Sequence, residues 1–168
     1  MKIAIVGAAY TGRAAALYFR NKGHSVSVST TRQERTAELA EVANHIVVMK
    51  GSDSAGMESL IRDADVVLLS MAGGLGVKDG KPYMDPVAYR DSYVGTADGL
   101  IAALPAAPKL RQIIFCSSMN AYGDANGVNP VNENTPANAA SPAAQVFIEA
   151  EQKLSALETD TLKVCNFR

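Results

Sequence analysis

Apolar residues along the chain fall into short, dense runs separated by longer mixed stretches. The runs are KIAIV at 2–6, SVSVS at 25–29, HIVVM at 45–49, DVVLLS at 65–70, QIIFCS at 112–117 and LKVCNF at 162–167. Several are apolar at consecutive positions, as parallel strands covered on both faces require, so six strands are expected. The stretches between them carry helix signals. Thr11 stands as a possible N-cap ahead of the good helix formers Arg13 to Arg20, and Gly23 follows as a stop. Ser54 is placed to cap a helix bearing Met57, Leu60 and Ile61, and Ser141-Pro142 reads as N-cap and first position of a helix reaching about Leu157. Strand and helix alternating in this way predict an α/β fold, a doubly wound parallel sheet with helices on both faces. No internal repeat is visible. Two stretches break the alternation, 72–86 (AGGLGVKDGKPYMDP) and 122–142 (YGDANGVNPVNENTPANAASP). Rich in Gly, Pro, Asn and Asp, both are expected to be loops. Each follows the C-terminal end of a strand, the edge where open α/β sheets place their ligand crevice.

Composition narrows the picture. At 168 residues and 48% hydrophobic content, one domain over 1–168 is expected. A net charge of −1 with 20% charged residues gives no field to concentrate a polyanion, which argues against nucleic acid and anionic membrane as partners. Ile3 to Val6 breaks at Gly7, too short for a signal peptide, and no apolar stretch approaches the roughly 20 residues that span a bilayer. A soluble, cytoplasmic protein is expected. Cys116 and Cys165 lie in strand-like runs, which suits buried thiols in a reducing compartment, and no metal site is expected. His24 and His45 fit the turns entering the second and third strands and read as structural.

The first chemistry-bearing motif is Gly7-Ala8-Ala9-Tyr10-Thr11-Gly12, set between a strand and a helix. Gly7 allows the tight turn, small Ala9 lets the backbone approach a pyrophosphate, and Gly12 permits close packing of helix on sheet. Free N–H groups of the helix start would meet the phosphates, as in a Rossmann dinucleotide site. Ala9 stands where that fingerprint prefers glycine. At the end of the second strand an NAD site would carry a carboxylate, yet the chain reads Ser29-Thr30-Thr31-Arg32 with Arg35 close behind. Hydroxyls and a guanidinium suit a 2′-phosphate, so NADP is expected, with NAD the alternative. Ser70, Met71, Ala72 and Ser117, at the ends of the fourth and fifth strands, complete the expected cofactor-binding set. Asp53 after the third strand reads either as an acceptor for the adenine amino group or as a charge at a helix N-terminus.

The fifth strand runs into Cys116-Ser117-Ser118-Met119-Asn120-Ala121-Tyr122-Gly123, giving SSxxxYG followed by Asp124, then NENTP at 132–136 and a helix with Glu149-Ala150-Glu151. With the glycine turn in front, this order resembles the extended short-chain dehydrogenase/reductase superfamily in its NAD-dependent epimerase/dehydratase branch. The resemblance implies that Ser118 hydrogen-bonds the reacting carbonyl or hydroxyl, while a Tyr activated by a Lys four residues on moves the proton. Here Ala143 stands in the place of that Tyr and Phe147 in the place of that Lys, and no Tyr follows Tyr122. A phenol without a neighbouring cation stays near about pKa 10, and general acid–base help is worth roughly 10² to 10⁴ in rate. Tyr122 reads either as a substitute proton donor near Ser118 or as a packing aromatic. Ala143, Phe147, Ala150, Leu154 and Leu157 form a stripe at helical spacing that suits core packing. Ser92 stands where many members of the family carry Asn.

Two functions follow. One is an NADP(H)-binding oxidoreductase or epimerase/dehydratase-like enzyme of the atypical short-chain class, acting on a small hydroxyl or carbonyl substrate. The alternative is a non-catalytic NADP(H)-binding sensor or interaction module. By resemblance, the chain ends after its sixth strand ahead of a C-terminal substrate-binding part, and a homodimer is a possible assembly.

Overall fold

A computed structural model describes residues 1–123 and 130–168, so Asp124 of the YGD segment lies outside the described residues. The elements run β1 (Lys2–Val6), α1 (Tyr10–Asn21), β2 (Ser25–Thr30), a 3₁₀ turn (Gln33–Arg35), α2 (Thr36–Leu39), β3 (His45–Val48), α3 (Ser54–Ile61) and β4 (Val66–Leu69). They continue through β5 (Leu75–Lys78), β6 (Lys81–Met84), α4 (Pro86–Arg90), a wide π turn (Asp91–Gly95), α5 (Thr96–Ala103) and a 3₁₀ turn (Leu104–Ala106). β7 (Gln112–Cys116), a 3₁₀ turn (Met119–Tyr122), α6 (Pro142–Ser155) and β8 (Lys163–Phe167) complete the order.

All six expected strands form, and they make one parallel sheet in the order β3-β2-β1-β4-β7-β8. Ile5 lies beside Val28 on one side and Leu68 on the other, so the strand order reverses between β1 and β4. That switch point opens a crevice at the C-terminal ends of these two strands. Successive strand residues feed opposite cores. Ala4, Val6, Val67, Leu69, Ile113 and Phe115 pack with α3, α5 and α6, while Ile3, Ile5, Val26, Val28 and Leu68 pack with α1 and α2. Each large side chain so buried contributes roughly 2 kcal/mol.

Four expectations need correction. The stretch 72–86 is not a bare loop but holds the antiparallel β5–β6 hairpin, turned at Asp79-Gly80 with φ of +52° and +73°. Two successive positive φ angles are what a two-residue type I′ turn demands, and Asp-Gly supplies them. Helix α1 starts at Tyr10 with Ala9 as N-cap, so Thr11 sits inside the first turn. Asp53, not Ser54, caps α3, its carboxylate accepting from Gly56 N at 3.1 Å. Cys116 is half-buried and Cys165 exposed, because among the described residues no helix packs on the face of β8 that carries Cys165. Ser141 and Pro142 do open α6 as expected, with the Ser141 hydroxyl accepting from Ala144 N at 3.2 Å. Among the described residues no helix is long and apolar enough to cross a membrane.

Candidate functional site

The glycine turn closes the switch-point crevice from below. Gly7 has φ +89°, and a Cβ there would stand 2.8 Å from the Ser70 carbonyl oxygen; a Cβ on Gly12 would stand 2.2 Å from the Gly7 oxygen. The turn is tied to β2 by Gly7 N donating to Ser29 Oγ at 3.0 Å and Ala8 N to Ser29 O at 2.9 Å. No side chain caps α1, and its first intrahelical bond runs from Arg13 N to Ala9 O at 3.0 Å. The amides of Tyr10, Thr11 and Gly12 are therefore left for an anion at the positive end of the helix. The Tyr10 side chain lies 94% exposed beside them.

Above the turn lies a cleft of about 420 Å³ bordered by Gly7, Ala9, Thr30, Thr31, Arg32, Arg35, Met71, Ala72 and Ser92. Among the described residues no carboxylate lines it. The two arginines differ in kind. Arg35 donates to the Ala8 carbonyl at 2.7 Å and to both Glu38 oxygens at 2.7 and 3.3 Å, clamping the glycine turn from outside. Hydrogen bonding to Arg35 holds the Glu38 carboxyl below the usual range. Arg32 is 61% exposed, and its nearest acid is Glu34 at 4.0 Å. The buried Thr30 hydroxyl accepts from Arg32 N at 3.2 Å, which leaves Thr31 as the exposed hydroxyl of the pair. Asp53, engaged as the α3 cap, is not among the residues bordering this cleft.

A second cleft of about 390 Å³ shares Ala9, Met71 and Ala72 with the first and extends past Thr11 and Ser70 to Ser117, Ser118, Tyr89, Tyr93 and Phe147. Ser118 begins the 3₁₀ turn, its hydroxyl accepting from Asn120 N at 3.2 Å, and it faces this cleft half-buried. The Ser117 hydroxyl donates to Glu151. Glu151 is 4% exposed and is held by Arg168 through Nη2 to Oε2 at 2.7 Å and Nε to Oε1 at 3.0 Å. Tyr122 lies under that same guanidinium, 4.9 Å from ring centroid to Cζ, and donates its hydroxyl to the Asn132 carbonyl at 3.1 Å. Tyr122 does not border the second cleft, so its contacts fit the packing reading.

Ala143 is half-buried against the core, and Phe147 packs its ring 4.5 Å from Tyr93, 5.9 Å from Tyr89 and 6.5 Å from Phe115. Burial raises the Tyr89 phenol and pushes that of Tyr93 up to about 12. Burial likewise raises the Cys116 thiol, partly offset by a hydrogen bond with Ser70. Sequence reasoning missed Tyr89, Tyr93 and the clamp made by Arg35. The two tyrosines stand four apart after Pro86, a spacing that puts them on one helical face but says nothing of what that face borders. A further depression of about 380 Å³, bordered by Lys2, Ser25, His45, Arg62 and Asp63, lies at the opposite edge of the sheet, away from these groups.

The model of the NAD dependent epimerase/dehydratase family matches residues 3–168. No curated protein matches the sequence. Among solved structures, UDP-glucose 4-epimerase from Thermotoga maritima with UDP-glucose superposes with a TM-score of 0.80 at 20% identity, covering 100% of this chain and 55% of that one. A short-chain dehydrogenase/reductase superfamily protein from Agrobacterium tumefaciens with bound NAD gives 0.76 at 21%, covering 100% and 48%. UDP-glucose 4-epimerase from Bifidobacterium longum in complex with NAD+ and UDP gives 0.75 at 19%, covering 100% and 52%. At these identities the likeness establishes the fold, and the chain spans about half the length of those structures. A match over residues 3–168, on a sheet of matching architecture, means that the chain belongs to the NAD-dependent epimerase/dehydratase family.

Proposed function

We propose that the chain binds NADP(H) on its glycine turn and acts as an oxidoreductase or epimerase/dehydratase-like enzyme on a small hydroxyl or carbonyl substrate. The observation that carries this reading is the pair of communicating clefts. The first lies over the glycine turn, where Gly7 and Gly12 let the turn and α1 press onto the sheet, and the second opens on the Ser118 hydroxyl. A dinucleotide spans such a pair naturally, with its pyrophosphate on the Tyr10 to Gly12 amides. When bound, a nicotinamide dinucleotide supplies hydride chemistry. Gly7, Ala9, Tyr10, Thr11 and Gly12 would hold the phosphates, Thr30, Thr31 and Arg32 the adenosine ribose, and Ser70, Met71, Ala72 and Ser117 the path into the second cleft. Ser118 hydrogen-bonds the substrate oxygen.

The preference for NADP over NAD rests on a first cleft with no carboxylate among the described residues that border it, and on an exposed guanidinium at Arg32 whose closest acid, Glu34, stands 4.0 Å away. The related structures from Agrobacterium tumefaciens and Bifidobacterium longum hold NAD, which keeps NAD as the alternative. A soluble, cytoplasmic protein with no nucleic-acid partner fits a net charge of −1.

A second reading, a non-catalytic NADP(H) sensor, is favoured by Ala143 and Phe147, which pack where the resemblance expects Tyr and Lys. Calorimetry with NADPH and NADH, followed by NADPH oxidation across carbonyl compounds and nucleotide sugars, separates the two. Turnover lost in Ser118→Ala supports the enzyme; tight binding without turnover supports the sensor. No affinity for either dinucleotide at millimolar concentration ends both.

A further inference from the structure

The second cleft carries a feature that neither the glycine turn nor Ser118 accounts for. Tyr89 in α4 and Tyr93 in the π turn are each 5% exposed, their rings sunk in the core against Phe147. Both nevertheless border the cleft, and neither hydroxyl has a hydrogen-bond partner among the described residues. Neither oxygen is itself buried, so both phenol hydroxyls stay open to the cleft that Ser118 also borders and can bond an oxygen-bearing ligand there. The π turn matters here, since the extra residue in such a turn re-aims the side chains it carries and commonly marks a functional site. Of the two rings, that of Tyr93 lies closer to Phe147, at 4.5 Å against 5.9 Å.

The rest of the lining states what the ligand is. Ser70, Ser117, Ser118, Thr11 and Asn120 supply polar groups, Leu75, Met71 and Phe147 apolar ones, and among the described residues no side chain bordering the cleft is charged. Beyond the helix-start amides of Tyr10 and Thr11, which the proposed dinucleotide takes, the described side chains suit an uncharged organic molecule with one or two oxygens. Resting on the dinucleotide reading above, we propose that Tyr93 and Ser118 hold the oxygen of an uncharged aldehyde or ketone in this cleft, and that Tyr93 Oη gives it the proton of a carbonyl reduction. The step balances. The hydride of the reduced nicotinamide forms the new C–H bond, the C–O π pair moves onto oxygen, and the Tyr93 proton completes the hydroxyl; the phenolate recovers its proton from water. Like any phenol below its pKa, which burial here raises, Tyr93 enters the step protonated and able to donate to the nascent alkoxide.

The test uses the full chain loaded with dinucleotide and two uncharged probes, glyceraldehyde and cyclohexanone. NADPH fluorescence titration comes first, and Tyr93→Phe must bind NADPH as the wild type does. Expected next is reduction of at least one probe, with kcat lowered roughly 100-fold in Tyr93→Phe at nearly constant KM, and Tyr89→Phe close to wild type. A second readout needs no turnover: with NADP+ bound, the carbonyl ¹³C resonance of labelled cyclohexanone moves downfield on binding to wild type and Tyr89→Phe, and does not in Tyr93→Phe. Retained kcat or a retained shift in Tyr93→Phe overturns the assignment, as does failure of both probes to bind while NADPH does. Failure of the wild type to bind any dinucleotide strikes the proposed function instead.

Discussion

Replacing Gly12 with Ala tests the central claim, that α1 is pressed onto the sheet so that its first amides face the crevice. The added Cβ would lie 2.2 Å from the Gly7 carbonyl oxygen and 3.2 Å from Ile5 Cγ2. The nearer atom belongs to the backbone, so no side chain can swing aside. Either α1 lifts by about 1 Å or the glycine turn opens. Lifting α1 loosens the contact of Ala16 with the Ile3, Ile5 and Val28 layer. Overpacking of this kind costs about 1 to 3 kcal/mol, and a backbone-to-backbone clash belongs at the upper end. For a domain of this size about 3 kcal/mol lowers Tm by roughly 6 to 12 °C. The same movement displaces the amides proposed to hold the pyrophosphate, which costs at least one charge-assisted hydrogen bond, or roughly 10-fold in dinucleotide affinity. Gly76→Ala is the control, since a Cβ at Gly76 meets nothing within 4 Å. Chemical denaturation and NADPH titration on the three proteins provide the comparison. A Gly12→Ala protein within about 1 kcal/mol of wild type, with unchanged affinity, refutes the geometry.

Arg32→Ala should weaken NADPH roughly 10-fold and leave NADH unchanged, whereas Arg35→Ala, by freeing the Ala8 carbonyl, should weaken both and lower the melting temperature; calorimetry with the two dinucleotides distinguishes them. Asp53→Ala should cost about 1 kcal/mol through loss of the α3 cap with no change in dinucleotide affinity, read by thermal melts and titration; a weaker Kd would restore the adenine role. Asp65, whose carboxylate accepts Lys2 N at 2.8 Å, is held below the ordinary carboxylate pKa chiefly by that backbone hydrogen bond. Because the folded value is the depressed one, its stabilisation is present above about pH 4 and lost as the pH falls through the folded value. Asp65→Asn should therefore flatten the acid limb of a stability–pH curve.

The sheet was readable because parallel strands buried on both faces need consecutive apolar residues, and KIAIV, HIVVM, DVVLLS and QIIFCS carry them. The β5–β6 hairpin was not, because LGVK and KPYM are almost wholly exposed and their only strong signal is the Asp79-Gly80 dipeptide between them. Cys165 was misjudged for a related reason. Apolar neighbours in a strand imply burial only where a helix covers that face, and coverage depends on where α1 and α2 settle, over β1 to β3. The start of α1 is more instructive. A search for a capping side chain points to Thr11, yet the N-cap is Ala9, two residues earlier, an alanine whose side chain caps nothing. A satisfied cap would consume the donors that the proposed phosphate contact needs, so the local rule fails where the proposed function lies.

The same limit governs the site. Residue type located two arginines after β2, but only the structure separates Arg35, spent on the Ala8 carbonyl and Glu38, from Arg32, whose exposed guanidinium among the described residues meets only Glu34, at 4.0 Å. A motif specifies which groups are present, not which are already engaged. Ser117 and Tyr122 illustrate this in reverse, one donating to Glu151 and the other to the Asn132 carbonyl, so that of the three hydroxyls in SSxxxYG Ser118 alone stays open to the second cleft. Reading the segment against a family pattern located the empty positions at Ala143 and Phe147 without showing what had replaced them. The replacement is coupled. A lysine at 147 would set an ammonium among the rings of Tyr89, Tyr93 and Phe115, a desolvation cost of several kcal/mol with no carboxylate among the described residues bordering the cleft to offset it. Phe147 and Tyr93 therefore belong to one solution, an apolar wall whose burial raises the phenols it holds.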